Sequence, residues 1–362
     1  MRKRNDGAEC ASKNPCSRET TMSCRVAFLA RFVAIILLAS ASSAFAQLKP
    51  QWMPGQIGLN AGILPSPGFT YVNIDENYSA GTFNGPKGNA VPATGNYNVW
   101  AIENLFYFVP DTKFLHGNLG FDIMFPTPAT GSLVADINTQ GPINLGAAGG
   151  GSGLADLWVQ PFTVGWHLKR WDLQVGDAFM IPTGRYSPGA SNNVGSGYFG
   201  NHLQTAATYY ITKNKGTSAN IFTDWEVHGT RQGTNNTTKS PGQAFTDEWG
   251  LGQILPLKKD LSKLLQVGVV GYDQWQVTNN GGTIPNPLPV GPPALPASGI
   301  PYYSVHAVGG QLNYILPGKN FSLFFKGYHE YSASFHTIGN TFCFGAAWTL
   351  LIPKPVAAPP KS

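Results

Sequence analysis

Residues 171–181 read WDLQVGDAFMI, with Trp171, Leu173, Val175, Phe179 and Ile181 on odd positions and Asp172, Gln174, Gly176 and Ala178 between them. A two-residue period of this kind describes a strand with one greasy face and one polar face. The preceding LWVQPFTVGWHL sets Trp158, Phe162, Val164, Trp166 and Leu168 on even positions, and Lys169 and Arg170 then form a tight hairpin link. Pro161 interrupts that strand, because it has no N–H to give a ladder. The same alternation recurs in IFTDWEVHG, LLQVGVVGYDQWQVT, FSLFFKGYHEY and TFCFGAAWTL. Strands are therefore expected near 68–78, 97–108, 115–126, 155–168, 171–183, 198–212, 217–229, 243–256, 263–278, 302–316, 321–332 and 338–352. The first two, GFTYVNIDENY and YNVWAIENLFYF, alternate least.

The links between these strands differ systematically. Those after the even-numbered strands are short: VPDTKF, KR, KNKG, PLKKDLS and PGKN. Those after the odd-numbered strands are mostly longer and rich in Gly, Asn, Ser and Pro, as in NNGGTIPNPLPVGPPALPASG; the link before the last strand is the exception. Short turns at one end and long loops at the other, with an even strand count, describe an all-β transmembrane up-and-down antiparallel barrel of about twelve strands, its short turns periplasmic and its long loops extracellular. A soluble sandwich explains any one strand pair. It does not explain outward Trp and Phe on almost every strand, nor strands long enough for a tilted bilayer crossing.

Composition sharpens this. Only 12% of residues are charged, against about a quarter in soluble domains, and the chain carries 43 Gly and 28 Pro. From Met22, a plausible true start, MSCRVAFLARFVAIILLASASSAFA has basic residues, an apolar run and small residues ending at Ala46, the order of a secretory signal peptide. Residues 1–46 are read as that signal. Their loss removes seven Lys/Arg and three Asp/Glu, so a net charge of +5 falls to +1 and no case for nucleic acid remains. Cys10, Cys16 and Cys24 leave as well, and Cys343 alone can form neither an internal disulfide nor a cysteine metal site. No metal, no cofactor and no catalytic set is expected: His116, His167, His202, His228, His306, His329 and His336 show no ligand spacing such as H-E-x-x-H.

The parity of each strand assigns faces. Asp122, Asp224, Glu226, His228, Glu248, Tyr272, Phe324, Lys326, Tyr328 and Glu330 are expected to line the lumen, since a Lys or Arg facing lipid at midplane costs about 2–4 kcal/mol. Trp158, Phe162, Trp166, Trp171, Trp225, Trp249, Trp275 and Trp348 are expected on the lipid face and its aromatic belts. Asp273 and Gln253 fall on the lipid-facing parity, which implies a register break or a place near the rim. Residues 47–67 are Gly/Pro-rich: either a periplasmic leader or a lumen plug that would bury Trp52, Ile57 and Leu59. The barrel spans 68–352, and the Pro-rich tail 353–362 is expected to be disordered.

One block carries a family resemblance. GLADLWVQPFTVGWHLKRWDLQVGDAFMIPTGRYSPG, residues 153–189, contains a G-x-x-D-x-x-V-x-P-F run (Gly153, Asp156, Val159, Pro161, Phe162) and a P-T-G-x-Y end (Pro182, Thr183, Gly184, Tyr186). It resembles the outer-membrane family named for the meta-pathway of phenol degradation, and GLNAGILPSPGFTYVN, residues 58–73, is similar to the start of that family's mature chains. The resemblance implies an outer-membrane channel linked to uptake of aromatic compounds, and it brings no catalytic residues with it. The expected reading is a bacterial outer-membrane channel through which small hydrophobic or aromatic compounds diffuse. Its partners are the lipid bilayer, those solutes and, during biogenesis, the barrel-assembly machinery. The alternatives are an outer-membrane lipid hydrolase, or a structural or adhesive barrel acting through its loops.

Overall fold

The computed structural model describes residues 50–90, 96–134, 151–188, 190, 192–233, 239–284 and 295–351. The expected signal segment and the Pro-rich tail lie outside the described residues. Twelve long strands follow in order: β1 (Gly68–Asn84), β2 (Asn96–Val109), β3 (Gly117–Val134), β4 (Leu157–His167), β5 (Trp171–Ile181), β6 (Gly200–Tyr210), β7 (Thr217–His228), β8 (Ala244–Pro256), β9 (Leu264–Gln276), β10 (Ser304–Leu316), β11 (Phe321–Ser334) and β12 (His336–Leu351). Each pairs antiparallel with the next, and β12 pairs back onto β1 from Phe69↔Leu351 to Asn84↔His336, which closes the sheet into a barrel. No α-helix occurs among the described residues. Strands of 11 to 18 residues exceed the usual five or six of soluble sheets and suit a tilted membrane crossing.

The closed sheet sorts side chains by parity. On the outer face Phe162, Trp171, Ile221, Trp225, Leu251, Leu312, Phe325, Phe342, Phe344 and Trp348 are each more than 40% exposed. An apolar band of that size cannot face water stably and is what a bilayer covers. Trp166, Trp249 and Trp275 share this face, half-buried among neighbours; Trp275 stacks on Phe245 at 6.2 Å. The inner face is polar and buried, the inverse of a soluble core.

Trp158 corrects the parity reading. It is 4% exposed and lies on the inner face, not toward lipid. The cause is one extra residue on β4: Val159 pairs with Phe179 and Phe162 with Asp177, while on the other side Thr163 pairs with Gly120 and Gln160 with Asp122. A one-residue bulge reverses the face of everything before it. Trp158 and Gln160 therefore turn inward, while Phe162 beyond the bulge stays outward. Pro161 sits in the bulge itself, where a missing N–H interrupts no ladder.

One smaller difference has a similar cause, and one of two expected alternatives for Asp273 is the one found. β1 runs six residues past its expected end because a second irregularity, between Ala80 and Thr82, lets pairing with β12 continue. Asp273 does not mark a register break: β9 pairs evenly with β8 and β10, and Asp273 sits near the loop-side rim. There it meets His306 Nδ1 at 2.6 Å and Trp249 Nε1 at 3.2 Å.

Candidate functional site

The described N-terminal segment, residues 50–67, runs inside the barrel. It enters at the turn side, where β1 begins, and reaches the loop side at Gln51. Its apolar residues fill gaps in a polar wall: Leu64 is buried beside Gly120 and Gly165, and Leu59 against Gly250, Gly252 and Gly268. A Cβ on Gly252 or Gly268 would lie 3.1 or 2.8 Å from a Leu59 methyl, so the wall is bare where the segment presses against it. Ile57 packs against the cluster of Trp52, Met124, Trp158, Ala178, Met180, Ala206 and Phe222.

The polar atoms of the segment are matched by the wall. Glu248 Oε1 accepts from Trp52 Nε1 at 3.1 Å and Gly55 N at 3.0 Å, and its Oε2 accepts from Ile57 N at 3.0 Å and Gly58 N at 3.3 Å. Gly55 and Gly58 have positive φ (97° and 65°), which lets successive N–H groups curl around one carboxylate. Glu226 accepts Gln51 N at 2.8 Å and Trp52 N at 3.0 Å. Lys326 Nζ donates to Gly55 O at 2.7 Å and to Gln56 O, and Gln56 Nε2 donates to Glu103 at 2.7 Å. Lower down, Leu59 N donates to Gln311, Asn60 bonds Asn220 and Gln266, and Gly62 N donates to Thr208. Hydrogen bonds to charged groups are roughly twice as strong as neutral ones, so Glu226, Glu248 and Lys326 hold the segment most firmly.

Around this seam the wall carries two aromatic groups. The Trp52 indole lies 5.5 Å from Trp158 and 5.2 Å from Phe222. Trp158 Nε1 donates to Asp122 at 2.9 Å, and its ring lies 4.9 Å from His202. Across the lumen Tyr272 and Tyr328 sit 5.3 Å apart and face Gly55. Glu330 accepts the hydroxyls of Tyr272 and Tyr78, each at 2.9 Å. Phe324 lies beneath Lys326, 5.5 Å from its Nζ.

The residues assigned to the lumen by parity, Asp122, Asp224, Glu226, His228, Glu248, Tyr272, Phe324, Lys326, Tyr328 and Glu330, thus share the inner face, and most of them are fully buried. Parity missed Glu76 and Glu103, both buried inward on β1 and β2. Charge alone does not find them, because Asp75 beside Glu76 pairs with the exposed Phe344 on the outer face. It also missed His202, whose Nδ1 meets Asp224 at 3.0 Å. One ligand atom of each of His202, Asp224 and Glu226 lies within 4.8 Å of the other two. Cross-strand pairing of β6 with β7 brings these together, and linear spacing cannot show it.

The family block forms a clamp at the loop side. Asp156 accepts Gly184 N at 3.0 Å, Ser196 N at 2.7 Å and Ser196 Oγ at 2.5 Å, tying the start of β4 to the loop after β5. Burial raises the Asp156 carboxyl above the usual aspartate value, against the pull of those hydrogen bonds. The clamp also touches the lumen segment, because Gln51 Nε2 donates to Ser196 Oγ at 2.7 Å.

A closed twelve-stranded barrel with an apolar outer band, a polar lumen, short turns and long loops is a bacterial outer-membrane β-barrel. The chain belongs to the family described as MetA-pathway of phenol degradation, whose model matches residues 80–344. Its fold is similar to that of an outer membrane channel from Pseudomonas putida F1, at 12% identity over 83% of this chain and 100% of that one, with a TM-score of 0.60. Weaker likenesses are to the β domain of the Bordetella autotransporter BrkA (10% identity, 79% and 100% of the chains, TM-score 0.43) and to the Ralstonia pickettii toluene transporter TbuX (10%, 80% and 91%, TM-score 0.33). No curated protein matches the sequence.

Proposed function

We propose that the protein is a channel for small hydrophobic or aromatic compounds, closed at rest by its own N-terminal segment. The observation that carries this reading is the seat of Trp52: an aromatic side chain held between Trp158 and Phe222, its one polar atom on Glu248. A solute of similar size and chemistry can use that seat once the segment withdraws. Family membership supports the reading.

The hydrolase alternative requires a nucleophile on the His202–Asp224 pair. Instead Trp158 packs on that imidazole, and Nε2 has no hydrogen-bond partner.

The test is initial uptake of labelled neutral monoaromatics and a long-chain fatty acid. A strain lacking the gene is compared with the same strain complemented by the full chain or by a chain lacking residues 50–66. Complementation is expected to speed entry of the monoaromatics, and the shortened chain to speed it further. Equal uptake in all three strains would refute the reading.

A further inference from the structure

Three pairs of inward residues face each other where β6 meets β7: Gly200 with His228, His202 with Glu226, and Gln204 with Asp224. Asp224 Oδ1 accepts Gln204 Nε2 at 2.9 Å, and Oδ2 lies 3.0 Å from His202 Nδ1. A carboxylate oxygen can only accept, so Nδ1 carries a proton, and in the neutral ring His202 Nε2 is a lone pair. That nitrogen is fully buried and unpartnered.

A second buried, unpartnered acceptor comes from the lumen segment. Gln51 Nε2 donates to Ser196 Oγ and, at 3.0 Å, to the Tyr198 carbonyl. Because a carbonyl cannot donate, the amide cannot be flipped, and Gln51 Oε1 must point the other way, where it finds no partner. Both orphan atoms converge beside Gly200: a Cβ there would lie 1.8 Å from Gln51 Oε1 and 3.2 Å from His202 Nε2. The Glu226 carboxylate closes the third side. Its Oε1 holds a single N–H, from Trp52, and keeps a lone pair. Its Oε2 lies 2.9 Å from His228 Nε2, while His228 Nδ1 lies 2.9 Å from the Gly242 carbonyl. Both nitrogens of that ring therefore face acceptors, unlike those of His202.

We propose that His202, Glu226 and Gln51 form a binding site for a divalent first-row cation of the Zn2+ type at the loop-side end of the lumen. Imidazole nitrogen, carboxylate oxygen and amide oxygen suit such an ion, and Asp224 behind His202 is the outer partner that sets the tautomer and ring angle of a metal-bound histidine. Two ligands belong to the wall and one to the segment, so the ion binds the seated segment better than the withdrawn one and shifts the population toward closure. The site stands on its own geometry and does not depend on which solute the channel passes.

The experiment uses the full-length barrel, stripped with chelator and titrated with Zn2+ by calorimetry, with metal content measured after desalting. Wild type is expected to bind one equivalent at micromolar Zn2+ or below. His202→Ala is expected to abolish binding, and Gln51→Ala to weaken it by about tenfold or more. Gln51 lies outside every strand, so its variant keeps the barrel intact if the wall variant does not fold. In planar bilayers Zn2+ is expected to lengthen closed times for wild type and not for Gln51→Ala. No binding by wild type at micromolar Zn2+, or binding equally strong in Gln51→Ala, would overturn the proposal and leave a fixed water as the bridge between these groups.

Discussion

Trp52→Ala removes a buried aromatic contact between the lumen segment and the wall and changes no strand residue. The indole packs between Trp158 and Phe222, beside Met124, Met180 and Ala178. Truncating a buried aromatic to alanine costs about 3–5 kcal/mol, and a hydrogen bond to a charged group adds about 1.5–3 kcal/mol. These overlap, because the same indole makes both interactions. Glu248 also keeps its three backbone donors, from Gly55, Ile57 and Gly58. The lower figure, about 3 kcal/mol, is the appropriate one, since water entering from the lumen relieves part of the cavity. At 1.4 kcal/mol per decade this shifts the balance between seated and withdrawn segment by about a hundredfold. Single-channel recording in planar bilayers reads that shift directly as open probability. Trp52→Phe keeps an aromatic ring in the seat and loses the N–H with part of the indole's packing, so its shift should be smaller than that of Trp52→Ala, about tenfold or more. If Trp52→Ala, Trp52→Phe and wild type show the same open probability, the segment is not the barrier and the reasoning fails.

Other expectations follow from the same geometry. Glu248→Gln keeps the side chain's shape and removes the charge that gathers four N–H donors; its open probability should rise by about tenfold. Burial raises the Asp156 carboxyl, so the native clamp holds its proton more tightly than the unfolded chain does. Clamp stability should then be full below the ordinary aspartate value and fall as pH rises through the raised native one. Limited proteolysis of the loop after β5 should accelerate over that window in wild type and stay flat with pH in Asp156→Asn.

The barrel was legible because its cause is periodic. Lipid outside and polar groups inside force alternation along every strand, and the difference between turns and loops gives the direction of travel. What failed was local. Trp158 sits three residues before Pro161, and the proline was a visible sign that the ladder broke there, yet parity alone does not count the extra residue of a bulge. Glu76 and Glu103 were hidden by weak alternation in β1 and β2, where Asn and aromatic residues occupy both faces. The lumen segment could be suspected from Trp52, Ile57 and Leu59 among glycines and prolines, but its seat could not. Leu59 lies against Gly252 and Gly268, and the fit depends on which side chains the wall lacks. The meeting of His202 with Glu226 is likewise a property of strand register, over a separation of 24 residues that no linear motif spans.

The central claim, that residues 50–67 are the gate, is tested most directly by locking them in place. Leu59 methyls lie 3.1 and 3.2 Å from where a Gly252 Cβ would sit, so Leu59→Cys with Gly252→Cys, in a Cys343→Ser background, places two thiols within reach of a disulfide. Flux of a neutral monoaromatic into liposomes should stop when the pair is oxidised and return when it is reduced. Equal flux in both states, with the cross-link confirmed by mass spectrometry, would contradict the account.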